Sequence, residues 1–491
     1  MLNQYNPNFY KHLEDDSAMI QAAVDAAKEN GEAVTIPRLN ERTGECLWSI
    51  SRAIELHTGS VIYLDNCYIR QADGVFQNIF KNSNNEKPEG YTREGRQHDI
   101  TIIGFGNATL DGGEHNGMFE TNYRDFGFDN CYMNSMFNFI NCERIKIRDI
   151  NITRQRFWSM VFHYSSHIEI SGIHYYAPYH WRNQDGIDFR SGCSNILVEN
   201  ISGVTGDDIV AMTNLRNIYA ERLADCHYDD SIHNVIIRNI HAVTRNSFVR
   251  ILNHGGRKIY NVLIDGLMFD CESAPRDMRP GQFVEAGTYE PLHPEIHKFS
   301  QDYGVRIGTC AYNGEEDHGP EGINRGRHTM AQYGDTYNIT VRNVTCRGLV
   351  GVCISCTAKD VIVENVRMYG GGITGVYVAQ GKMKNLQLRD IVCTGNPDPE
   401  NDFNDDRRWE CELEGNNDKD FAALSTPQRC AVYFKDSDAE NVVIRDVHIG
   451  ENMTSVVGGY GHVRGTITDV IKDDESIPTN AAVGDVVVTE K

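Results

Sequence analysis

Two short segments carry residues whose types and spacing could do chemistry: Asn183-Gln-Asp-Gly-Ile-Asp188 and Thr205-Gly-Asp-Asp-Ile-Val-Ala-Met212. Four carboxylates, Asp185, Asp188, Asp207 and Asp208, fall within 24 residues, each close to aliphatic neighbours. Aspartate is poorly suited to strand interiors, and a carboxylate taken out of water needs partners. Solvent, a substrate or a metal ion must therefore account for this group.

The scaffold that positions them is legible as a repeat. Its unit is a polar residue, an alternating apolar strand, then Asn, Asp or Gly before another apolar residue. Arg144-Ile-Lys-Ile-Arg-Asp-Ile150, Asn195-Ile-Leu-Val-Glu-Asn-Ile201, Asn338-Ile-Thr-Val-Arg-Asn-Val344 and Asn441-Val-Val-Ile-Arg-Asp-Val447 are examples. The step is 23 residues from Ile145 to Ile168, 22 from Ile339 to Val361 and 25 from Val361 to Leu386, and longer steps carry insertions. A period in the low twenties with short strands and no intervening helices marks a β-solenoid. One coil cannot bury its apolar edge alone; stacking at roughly 4.8 Å per coil makes a continuous core. Asn200, Asn239, Asn343 and Asn365 read as turn residues stacked in ladders.

The expected fold is therefore all-β, a right-handed parallel β-helix over residues 33–470, with insertions near 272–335 and 394–430. Residues 1–32 form the N-terminal cap, in which 15–30 read as an amphipathic helix with Asp or Ser as N-cap and Gly31 as terminator. Residues 471–491 form a C-terminal tail.

Composition bounds the partners. The chain has 491 residues, 40% hydrophobic and 24% charged, as befits a globular protein. No run of about 18 apolar residues is present to span a membrane. A net charge of −22 disfavours nucleic acid and anionic membranes, although a local basic cluster could still take an anionic sugar. The fourteen cysteines lie mostly in strand-like runs, Cys271, Cys346, Cys353 and Cys393 among them, as packed reduced thiols would. With no secretion signal in the opening residues, the expected location is the cytoplasm. The oligomeric state is left open.

Stacking turns the alignment of repeats into alignment in space. Laying 195–212 over 234–251 puts Asn246 and Ser247 at the places of Asp207 and Asp208, and Arg250 at that of Ala211. A later copy, Tyr303-Gly-Val-Arg-Ile-Gly308, puts Arg306 in the same column, and an earlier one puts Asp188 there. Carboxylates at one end and guanidinium groups at the other describe a cleft for an acidic carbohydrate.

These motifs resemble those of the polygalacturonase-type glycoside hydrolases (family 28), which are right-handed parallel β-helices. The resemblance covers most of residues 98–310, from His98-Asp-Ile-Thr-Ile-Ile-Gly onwards. Arg156-Phe-Trp-Ser159 fits the strand before the site. Asn183-Gln-Asp185 is similar to the family's Asn-Thr-Asp, Gly206-Asp-Asp208 to its Asp-Asp element, and Gly304-Val-Arg-Ile-Gly308 to its Arg-Ile-Lys element. The chain departs from the family at Asn246, where the family has histidine, and at Gly308, where it has lysine. The resemblance implies inverting hydrolysis, with Asp207 protonating the leaving oxygen and Asp185 with Asp208 activating water. Asn183, Asp188, Asn246, Arg250 and Arg306 would bind substrate, and no cofactor or metal is expected. Inversion calls for carboxylates roughly 6.5–9.5 Å apart, and like-charged neighbours would raise the pKa of the acid.

Other features read as structural. Cys353-Ile-Ser-Cys356 is a single CxxC pair, too few ligands for zinc. His254, His293, His297, His318 and His328 read as loop residues, one of which could replace the family histidine. The acidic stretch 396–408 reads as a solvated loop ahead of a calcium site. Arg257, Lys258, Arg276 and Arg279 fit a substrate wall or a charged surface equally well. Residues 272–302 enter just before Arg306 and should wall one side of the groove, favouring a short or chain-end substrate. Two alternatives stand beside the hydrolase. One is a uronate lyase or epimerase, which abstracts the C5 proton and needs the sugar carboxylate neutralised, often by calcium. The other is a noncatalytic carbohydrate-binding solenoid.

Overall fold

A computed structural model describes residues 5–113, 134–177, 183–215, 218–244, 246–253, 256–269, 303–308, 332–346, 350–368, 374–379, 381–394 and 429–490. The chain falls into two compact units. The first runs through Val210 and takes in the excursion that returns at Val235; the second takes in Ala211–Leu215 and the described residues from Ile236 onward. Both are parallel β-helical, as the repeat predicts.

In the first unit the helix Asp16–Asn30 caps the coils. The Asp15 carboxylate accepts the Ala18 N–H at 2.7 Å, and Gly31 closes the helix at φ 68°. Met19, Ile20, Ala23, Val24 and Ala27 are buried, at the helical spacing read from the sequence. Beyond the cap, strands Gln97–Phe105, Cys142–Thr153, Ser166–Tyr176 and Ser194–Thr205 stack in parallel. Ile100, Ile145, Ile168 and Ile196 form one inward column, and Ile102, Ile147, Ile170 and Val198 form the next. A second face carries a ring ladder, in which Phe162 stacks between Phe139 and Phe189.

In the second unit the steps counted in the sequence are the observed register: Ile339 pairs with Val361, and Val361 with Leu386. The repeat also acquires its physical reason. Its two Asn or Asp residues lie five apart, and both adopt the left-handed conformation. Asn338 and Asn343 have φ 54° and 59°, Asp360 and Asn365 both 55°, Asn441 and Asp446 both 56°. Asn and Asp tolerate this region better than other side chains, so each pair bends the chain at both ends of a four-residue strand. The corner amides then bond from coil to coil: Asn365 donates to Asn343 at 2.6 Å, Asn385 to Asp360 at 2.7 Å and Asn441 to Asn385 at 2.8 Å. At the end of this unit Val483–Glu490 is a strand paired in parallel with Ser455–Lys472.

A short helix, Ile218–Arg222, lies in the long step between Asn195 and Asn234, where no further helical stretch is apparent from the sequence. Five residues offer too little periodicity to be recognised. Of the ten described cysteines, Cys46 is exposed and the other nine are buried as free thiols. Cys271, the histidines 254, 293, 297, 318 and 328, Arg276, Arg279 and the segments 272–302 and 396–408 lie outside the described residues.

Candidate active site

The acidic segments sit on a turn where three coils of the first unit are tied together. Ser159 N–H donates to Asp185 O and Met160 N–H to Gly186 O, both at 3.1 Å. Gly186 N–H donates to Asp208 O and Ile187 N–H to Ile209 O, both at 2.9 Å. Beside this ladder two amides interlock: Gln184 Nε2 donates to Gln155 O at 2.7 Å, and Gln155 Nε2 to Gln184 O at 3.3 Å. Gly186 is what lets the coils close. A Cβ there would lie 2.4 Å from Ile209 O and 3.1 Å from the Tyr175 ring.

This ladder brings Asp185, Asp207 and Asp208 together. One carboxylate oxygen from each lies within 4.8 Å of the others, and among the described residues this trio is the group placed to hold a metal ion. Asp208 and Asp185 are 0% and 4% exposed, whereas Asp207 is half-buried. The backbone orients Asp207. Its Oδ2 accepts Asn183 N–H at 2.9 Å, its Oδ1 accepts Asp208 N–H at 3.0 Å, and its carbonyl accepts Thr205 Oγ1 at 2.6 Å. Asn183, expected to bind substrate, thus contributes its main chain to holding Asp207.

Asp188 follows on the strand Ile187–Arg190, pairing with Val161 one coil earlier. Its outward face is covered: Asp188 is 1% exposed and His163 0%. Arg190 packs over the Trp158 ring at 5.1 Å, and the His163 ring lies 4.5 Å from that of Tyr219. Burial, with Arg190 adding to it, holds the His163 imidazole well below its ordinary pKa. Arg156, in the motif before the site, is a buried brace. It donates to Gly112 O at 2.5 Å, Ala72 O at 3.1 Å, Asn134 Oδ1 at 3.2 Å and also to Val75 O, and burial pushes its pKa down to about 9.

The second unit holds the expected arginines. Strands Ser247–Asn253 and Tyr303–Gly308 pair with Arg250 opposite Arg306, the column read from the sequence. Arg306 stacks over the Tyr303 ring at 4.9 Å. Asn246 is half-buried beside this pair and accepts Tyr303 N–H at its carbonyl at 2.9 Å. The glycine that stands in place of the family lysine has a structural cause. Gly308 has φ 79°, and a Cβ there would lie 2.3 Å from that of Cys356. The CxxC pair is packed, and burial pushes the Cys356 thiol up to about 12.

Residues 76–227 match the model of glycosyl hydrolases family 28. The match spans the carboxylate turn and overlaps the family 28 resemblance read from the motifs over residues 98–227; Asn246 and the Gly304–Gly308 element lie beyond it. A search of curated proteins finds no match. Solved structures that align include an exopolygalacturonase from Thermotoga maritima, 13% identical, covering 96% of this chain and 92% of that one at a TM-score of 0.42. A family 28 exopolygalacturonase from Yersinia enterocolitica is 13% identical, covering 99% and 77%, with a TM-score of 0.48. PfbA, a surface adhesin of Streptococcus pneumoniae, is 10% identical, covering 96% and 91%, with a TM-score of 0.46. Hydrolases and an adhesin align equally well, so these likenesses carry no argument about activity.

Proposed function

We propose that the protein is a glycoside hydrolase that cleaves glycosidic bonds in a uronate-containing, pectin-like glycan, acting on chain ends or oligosaccharides. The observation that carries this reading is the convergence of Asp185, Asp207 and Asp208 within 4.8 Å, inside the segment that matches family 28. Asp207, the most exposed of the three, is assigned the general acid; Asp185 and Asp208 are assigned to the water. Arg250 and Arg306 supply guanidinium groups suited to a sugar carboxylate.

Inversion is what the family resemblance implies. Product stereochemistry tests it. A uronate lyase or epimerase is the second reading, favoured by a trio placed to ligate a cation. A glycan panel read for new reducing ends, for anomeric configuration by NMR and for unsaturated-uronate absorbance separates these. The expected result is reducing ends without absorbance, insensitive to chelator. Asp207→Asn should lower turnover by about 10²–10⁴ with the fold intact. Full activity in that variant refutes the assignment.

A further inference from the structure

We infer that the excursion 218–231 is a fixed end wall of the substrate groove and that it determines chain-end cleavage; this rests on the hydrolase reading above. The covered outward face points to it. Val161, opposite Asp188 in register, and Ile140, opposite His163, would face solvent on a bare solenoid. Instead they are buried in one apolar cluster with Phe157, Trp158, Tyr164 and three residues of the excursion, Tyr219, Leu223 and Cys226.

A five-residue helix has no stability of its own, so contacts must hold it in place. They reach it from several earlier coils. Arg93 Nε donates to Cys226 O at 2.6 Å, and Arg222 Nη1 donates to Tyr91 Oη at 2.8 Å. The Tyr228 ring takes the guanidinium groups of Arg93 and Arg96 at 5.4 and 5.2 Å. Tyr164 Oη donates to the Asp230 carboxylate at 2.6 Å. Residues more than 130 positions apart are thereby clasped. This is a rigid wall, not a lid.

Its position follows from the register. The wall packs on Val161, one coil before Asp188, and one coil is about 4.8 Å. A glycan that meets the carboxylate turn is stopped at the wall before it can pass over the covered Asp188. The end of the chain is therefore bound against the wall, and scission falls at a constant distance from that end.

The test uses oligogalacturonates of graded length labelled at the reducing end, with the wild-type protein and the variants Tyr219→Ala and Arg93→Ala. Wild type should cut each oligomer the same number of residues from one end. Loosening the wall should replace that single position by cuts at several bonds. Arg93→Ala serves if Tyr219→Ala does not fold, and near-ultraviolet circular dichroism reports which variants keep their packing. Wild-type cleavage at several internal bonds, or a folded variant that keeps the single position, overturns the wall and leaves the hydrolase reading standing. A wild-type protein inert toward these oligomers and the whole glycan panel overturns the hydrolase reading and this inference with it.

Discussion

The buried imidazole of His163 makes the protein sensitive to mild acid in a way that can be calculated. The ring is fully enclosed, beside Arg190 and against Tyr219, and burial first, then Arg190, lowers its pKa. In the unfolded chain the same ring titrates near an ordinary pKa of about 6.5. Below that value the unfolded state takes up a proton that the folded state refuses, so stability is lost as the pH falls. Each pH unit over which the unfolded state alone is protonated costs about 1.4 kcal/mol. Eighteen histidines and many carboxylates contribute to the total, so the informative quantity is a difference. Urea midpoints followed by tryptophan fluorescence at pH 7 and pH 5 should fall further for the parent than for His163→Gln. A variant that loses as much stability as the parent over that interval refutes the argument, because the proton would then be going elsewhere.

Two further outcomes test the site. Gly186→Ala places a methyl against Ile209 O and the Tyr175 ring; it should cost about 1–3 kcal/mol in stability and, by spreading the carboxylates, lower turnover about 10²-fold. Melting and steady-state kinetics check both effects, and unchanged turnover would show that the close approach of the coils is not required. Arg250→Ala and Arg306→Ala should each raise KM for an acidic oligosaccharide by roughly 10–100-fold, the worth of a charged hydrogen bond, and leave a neutral one nearly unaffected; equal effects on both substrates count against a role in binding the sugar carboxylate.

The coil path and the carboxylate cluster were readable because each rests on local chemistry. Asn and Asp five positions apart announce two left-handed corners, and one strand length between them sets the step. The column of Arg250 and Arg306 follows from counting, because parallel stacking preserves register. What escaped the sequence depends on contacts between distant segments. Nothing near Gly308 explains a glycine there; the reason is Cys356, two coils' worth of sequence later. The cover over Val161 and His163 is equally remote, since Tyr219 and Leu223 become recognisable as a packing face only once Trp158 and Tyr91 stand opposite them. The expected wall at 272–302 falls outside the described residues, whereas a helix as short as the one in 218–231 leaves no pattern in the sequence.

The sealed thiols give the molecule a built-in clock. Burial pushes the thiols of Cys67, Cys193, Cys356 and Cys393 up to about 12, so at neutral pH almost none is present as the reactive thiolate. Cys67 and Cys193 belong to the first unit, Cys356 and Cys393 to the second. Each becomes reactive when the coil around it opens, and exposed Cys46 serves as the immediate reference. Alkylation followed residue by residue therefore times the opening of each region separately, with no probe added to the chain.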